Sequence, residues 1–212
     1  MGVHINKQLL NIYDEDNLRI NIDGAAYYIL LFEAFKDMVD SCVKFFYQTE
    51  EIVDGKLICR ISKEYRIDAS SKKYKKANGK FSRDEFYSQL IWLKDRGVIK
   101  EGDINRLLEI RKRRNSIVHE LLKVLADWLD TRDAELLGDL MKLYMKIDNW
   151  FFKIDMQILG KRFSDEYDID NAQSLTAMHL MSIFRIVFNG EGKGFKEAMQ
   201  DIIVNKERRA MK

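Results

Sequence analysis

The chain has no proline in 212 residues. Proline breaks helices and is common in the loops of β folds, so its absence points to an all-α protein. Cysteine is scarce: Cys42 and Cys59 are the only two, and neither belongs to a Cys-x-x-Cys pair. Histidine is scarce as well, and His4, His119 and His179 share no metal-ligand spacing. No metal set and no cofactor motif is expected. Two isolated cysteines suit a reducing compartment.

Long apolar runs are also missing. The most apolar stretch, 25–35, is broken by Glu33 and is too short to span a bilayer. The N-terminal residues lack the hydrophobic region of a signal peptide, and Asn6 stands where a myristoylation pattern needs Ser or Thr. A cytoplasmic protein with no membrane partner is expected. Net charge is only +2, which excludes a protein that coats nucleic acid by overall charge. Any RNA contact must come from a local patch.

What remains is a globular composition, 46% hydrophobic and 33% charged, in a chain long enough for one sizeable core. It reads as a single helical domain, 1–212. Asp23 is a candidate N-cap for a helix over 24–47, with Tyr28, Leu31, Phe32, Phe35, Val39, Cys42, Val43 and Phe46 at three- and four-residue steps. Asp54-Gly55 is a hairpin turn signal inside 52–61. Residues 70–80 read as an exposed loop. Lys72, Lys73, Lys75 and Lys76 surround Tyr74 there, which is either a solvated charge run or a patch for a nucleic-acid strand. Ser82 to Glu85 spells a capping box that opens a helix to about Arg96, closed by Gly97. Further helices are expected from Gly102 to about Asp130, from Thr131 to about Gly160, over 171–188 and over 195–209. Gly190 to Gly194 lacks the Gly-Lys-Ser/Thr ending of a phosphate-binding loop and reads as a linker. Short connections predict an antiparallel bundle over 24–160 with a C-terminal helical extension, 171–212.

The helix expected from Gly102 carries the one candidate for chemistry, Arg114-Asn115-Ser116-Ile117-Val118-His119. Imidazole titrates near neutrality, and a guanidinium keeps its charge and grips phosphate oxygens. At about 100° per residue, Ile110, Ile117, Leu121 and Leu125 form one apolar stripe with Arg114 in its middle. A charge there needs a partner, a cleft or an interface. Asn115 and His119 are i,i+4 neighbours and share a patch that Arg114 reaches with its long side chain. The alternative is a solvated basic face, Arg111 to Arg114, beside a structural histidine.

Glu109 to His119, with the preceding turn from Gly97 to Asp103, resembles the signature of the HEPN superfamily (higher eukaryotes and prokaryotes nucleotide-binding). Its motif is an Arg, a polar residue that is often Asn, several variable residues, then His. The resemblance covers about 24–159 and implies a four-helix core. It implies Arg114 and His119 as a catalytic pair with Asn115 beside them, and Arg113 also satisfies a permitted spacing. An acidic helper on an earlier helix would be Glu33, Asp37 or Asp40. Arg111, with Lys72, Lys73, Lys75 and Lys76, would contact RNA.

The function so implied is a metal-independent endoribonuclease of toxin or phage-defence type. A homodimer would bring two motif helices to one cleft, and a nucleotidyltransferase-like antitoxin would be the partner. Two other readings stand beside it. One is a non-catalytic helical module that binds nucleotide or a protein. The other is a structural dimer in which Arg114 pairs with Glu33 or Asp37.

Overall fold

The computed structural model describes residues 15–71, 73–75, 81–121, 131–158 and 172–189. Within them the protein is mostly helical. The order is α1 (Glu15–Phe45), β1 (Gln48–Val53), β2 (Lys56–Ile61), a helical turn at Lys63–Tyr65 running into a π-helical turn at Arg66–Ser70, β3 (Lys73–Lys75), β4 (Phe81–Arg83), α2 (Glu85–Asp95), α3 (Glu101–His119), α4 (Thr131–Ile158) and α5 (Leu175–Asn189). No helix among the described residues is long and apolar enough to cross a membrane.

Helix α1 is the central element and touches α2, α3, α4 and α5. Its apolar residues recur at helical spacing, and Tyr28, Leu31, Phe35, Val39 and Val43 are completely buried. It starts well before the expected cap. Asp23 and Gly24 lie inside the helix, because the buried Asn21 and the packing around it carry the helical pattern further N-terminal. The chain leaves α1 into the β1–β2 hairpin. Asp54 (φ 51°) and Gly55 (φ 74°) supply the two left-handed residues that a tight hairpin turn needs.

Contacts between helices reveal their directions. Phe35 meets Tyr144 and Phe45 meets Phe151, so α1 and α4 run parallel. Phe35 meets Phe86 and Phe46 meets Trp92, so α1 and α2 run parallel as well. Helix α3 runs against α4, through Asp103 with Lys146, Arg106 with Asp139 and Arg113 with Asp133. The simple antiparallel bundle is therefore corrected. The long excursion between α1 and α2 carries the chain back, which lets the two run side by side in one direction. The short α2–α3 turn makes those two antiparallel neighbours, as α3 and α4 are.

The local starts and stops also differ from expectation. Ser82 belongs to β4, and α2 is capped by Asp84, whose side chain accepts from the Tyr87 N–H at 3.3 Å. The segment 73–75 pairs with 81–83 as a short antiparallel ribbon, not an open loop. Gly97 (φ 73°) closes α2 as expected. Its N–H donates to Lys94 and the Val98 N–H reaches back to Leu93. Helix α3 ends at His119, earlier than expected, and 122–130 lies outside the described residues. So do the expected 190–194 linker and the 195–209 helix. Helix α5 packs into the core: Ala177 and Leu180 are buried, and Tyr27 donates to the Leu180 carbonyl at 2.9 Å.

Candidate functional site

The C-terminal half of α3 presents three arginines, and each has a different acidic partner. Arg111 binds Asp84, the cap of α2. Arg113 clamps Asp133 on α4 with two bonds, Nε to Oδ1 at 2.6 Å and Nη2 to Oδ2 at 2.7 Å. Arg114 reaches across to Glu33 on α1 through Nη2, and its Nη1 donates to Asn115 Oδ1 at 3.2 Å. At about 100° per residue, Arg113 lies about 160° around the axis from Arg111 and about 100° from Arg114, so one helix binds three neighbours.

The three pairs differ in environment. Asp133 is 2% exposed, so its pair with Arg113 is a structural clamp between α3 and α4. Arg114 is about a quarter exposed, with Glu33 at 35%. Its guanidinium centre sits 5.9 Å from the Phe32 ring centroid. Its Nε is buried and makes no hydrogen bond. The apolar stripe of α3 is thus real at Ile110 and Ile117, both fully buried, and the charge in its middle is balanced within the chain. The stripe stops there: Leu121 is 44% exposed, and Leu125 lies outside the described residues.

Of the three acidic candidates, Glu33 alone pairs with Arg114. Asp40 instead binds Lys44 at 2.7 Å and accepts from Gln89 at 2.7 Å, in a network that continues from Gln89 to Tyr65 and Glu85. Asp37 is exposed, one turn beyond Glu33. Burial pushes the Glu33 carboxyl up, but Lys36 at 3.1 Å and Arg114 outweigh it and hold the group below its ordinary value.

His119 is exposed in the last turn of α3, and Asn115 is exposed one turn before it. Asn115 therefore lies between the two ends of the motif on the helix surface. It is bonded to Arg114 and lies on the same ridge as His119. Next to His119 in the chain, Val118 is 41% exposed.

The expected RNA-contacting set divides. The Arg111 guanidinium is committed to Asp84. Lys73 and Lys75 lie in β3, and Lys72 and Lys76 fall outside the described residues. Asp84 and Asp133, which fix the motif helix, were not foreseen. Their only sequence signal is an acid at a helix start. Among the described residues no three His, Cys, Asp or Glu side chains are grouped to hold a metal ion, and both cysteines are free.

Comparison with protein-family models, with curated proteins and with solved structures returns no match for this chain. The functional reading therefore rests on the side chains themselves.

Proposed function

We propose that this protein is a metal-independent endoribonuclease of the HEPN type, of toxin or phage-defence character, acting as a homodimer. The observation that carries the reading is the chain of contacts Glu33–Arg114–Asn115 leading to the exposed His119. Glu33 holds Nη2 of Arg114 from the inside. Nη1 is left at the surface, where a phosphate oxygen can replace or share the Asn115 carbonyl.

The reaction is transfer within the RNA. The ribose 2′-oxygen attacks the adjacent phosphorus, the bond from phosphorus to the 5′-oxygen breaks, and a 2′,3′-cyclic phosphate and a 5′-hydroxyl result. His119 accepts the 2′-hydroxyl proton or donates a proton to the leaving 5′-oxygen. Arg114 stabilises the charge that builds on the phosphorane-like transition state. Asn115 orients the phosphate or the imidazole. One imidazole cannot be acid and base in the same instant, so a second copy's His119 would supply the other role. The exposed Val118 and Leu121 beside His119 are the surface that a second copy would cover. The lysines of β3 and its flanks would hold the strand, and a nucleotidyltransferase-like antitoxin would be the neutralising partner.

The test is RNA cleavage in EDTA by purified protein. His119→Ala should reduce cleavage by about 100-fold or more, and Arg114→Ala comparably, with folding intact by circular dichroism. Cleavage by His119→Ala at the wild-type rate sinks the proposal. A monomer at working concentration in light scattering sinks the shared cleft.

The intrachain Glu33–Arg114 pair also favours a second reading. Arg114 is already balanced, so the motif could anchor a non-catalytic module that binds nucleotide or a protein. Nucleotide binding without cleavage, weakened by Arg114→Ala, would select it.

A further inference from the structure

A cleft of about 670 Å³ opens between α1, α4 and the start of α5. Its size is that of a small-molecule site. One wall is a continuous ridge of α1, where Ala34, Asp37, Ser41 and Phe45 recur at three- or four-residue steps. Phe151 and Tyr144 of α4 face it. Phe45 and Phe151 meet edge to face, with centroids 5.3 Å apart and planes at 87°.

Two carboxylates stand in this apolar setting. Asp148 is 9% exposed, and its Oδ2 accepts from the Ser174 N–H at 2.8 Å. Asp37 forms no ion pair among the described residues, and it is solvent-accessible at the rim. No Lys or Arg is among the lining residues. The neighbouring lysines of α1 are committed elsewhere, Lys36 to Glu33 and Lys44 to Asp40. The other titratable groups of the cleft stay neutral at pH 7. Burial, with the Asp148 charge second, pushes the Cys42 thiol and the Tyr144 phenol each up to about 12. Asp148 is met by the N-terminal end of α5 through Ser174, so Asp37 is the carboxylate of the cleft with no cation to balance it among the described residues.

We propose that this cleft binds a small organic cation, an ammonium group carried on an aromatic body. The ammonium sits between Asp37 and Asp148, where low-dielectric walls strengthen the attraction. The flat body rests on Phe45 and Phe151, whose ring faces favour a cation nearby. A bare metal ion is the poorer fit, because two carboxylates on aromatic walls offer too few oxygens for a hard cation. This site is independent of the RNA-cleaving reading.

The experiment is isothermal titration calorimetry of the full chain with three probes of one shape: 2-phenylethylammonium, 2-phenylethanol and 3-phenylpropionate. Saturable binding of the ammonium, at least about tenfold tighter than the alcohol, is expected, with no binding of the carboxylate. Asp37→Asn, at an exposed position that the fold does not use, should weaken the ammonium by about threefold to tenfold and leave the alcohol unchanged. Ser41→Phe, which fills the cleft from its exposed rim, should abolish binding. Equal affinity for ammonium and alcohol overturns the proposal. So does the absence of saturable ammonium binding at millimolar concentration, or retention of full affinity in both variants.

Discussion

Arg114 and Glu33, 81 residues apart in sequence, are joined by a hydrogen bond that ties the motif helix α3 to the central helix α1. The same guanidinium touches Asn115 on its outer edge. One side chain thus links the core to the exposed ridge that ends at His119. Glu33 is in this arrangement a positioning residue, because it acts through Arg114.

Glu33→Gln keeps the shape but removes the charge. Cleavage should fall by about tenfold to hundredfold in kcat with little change in KM, since the guanidinium is misaligned and substrate contact persists. Glu33→Asp should recover part of the loss. If kcat is unchanged and only thermal stability drops, Glu33 is a structural partner alone.

Arg113 and Arg114 are adjacent, yet their substitutions should behave oppositely. Arg113→Ala removes both of its bonds to the buried Asp133 carboxylate and should cost about 3–5 kcal/mol in urea unfolding. Arg114→Ala leaves a partly exposed Glu33 that keeps Lys36, so the loss should stay near or below about 1 kcal/mol. Equal losses in the two variants would refute the division of labour between clamp and site.

Gly97 sits at φ 73° with open space where a Cβ would stand. Gly97→Ala therefore meets no clash and pays only for the left-handed backbone, about 1–2 kcal/mol. Gly97→Asn should lose less. A shifted urea midpoint at unchanged slope reads this effect. A neutral Gly97→Ala would mean that α2 ends differently in solution.

Acid should weaken the fold, and the sign follows from the carboxylates. Glu33 and Asp103 are both held below their ordinary values in the folded chain. For Asp103, burial works against this, and the Lys100 N–H and Lys146 overcome it. The folded state thus binds fewer protons than the unfolded one in this window. Their contribution is present above the unfolded values of about 4 and is lost as pH falls through the folded ones. The melting temperature should hold from pH 7 to 5 and drop below about pH 4.5. The double variant Glu33→Gln, Asp103→Asn should show a shallower drop. A melting temperature that rises on acidification contradicts the argument.

Much of the helical architecture was legible in the chain. Helical spacing of apolar residues marked α1, whose stripe from Tyr28 to Val43 is buried. Asp54-Gly55 announced a turn because few residues accept two successive left-handed conformations. Gly97 announced a helix end for a related reason. Boundaries were less legible. The caps of α1 and α2 were misplaced, because several side chains near each start could cap and packing decides among them. Helix direction was hidden, because the return excursion between α1 and α2 carries no directional signal in its residues.

The sequence by itself determined the inventory: a proline-free helical chain, a helix with Arg114 on its apolar stripe, and Asn115 and His119 one turn apart. That follows from local geometry, since helical spacing depends only on residues within a few turns. Tertiary structure alone decided which of Glu33, Asp37 and Asp40 meets Arg114, that Arg113 clamps the buried Asp133, and that Asp37 opens onto a cleft with Asp148. Those outcomes join residues distant in sequence, and the choice is made by how helices pack, where a few ångströms separate a paired charge from an unpaired one.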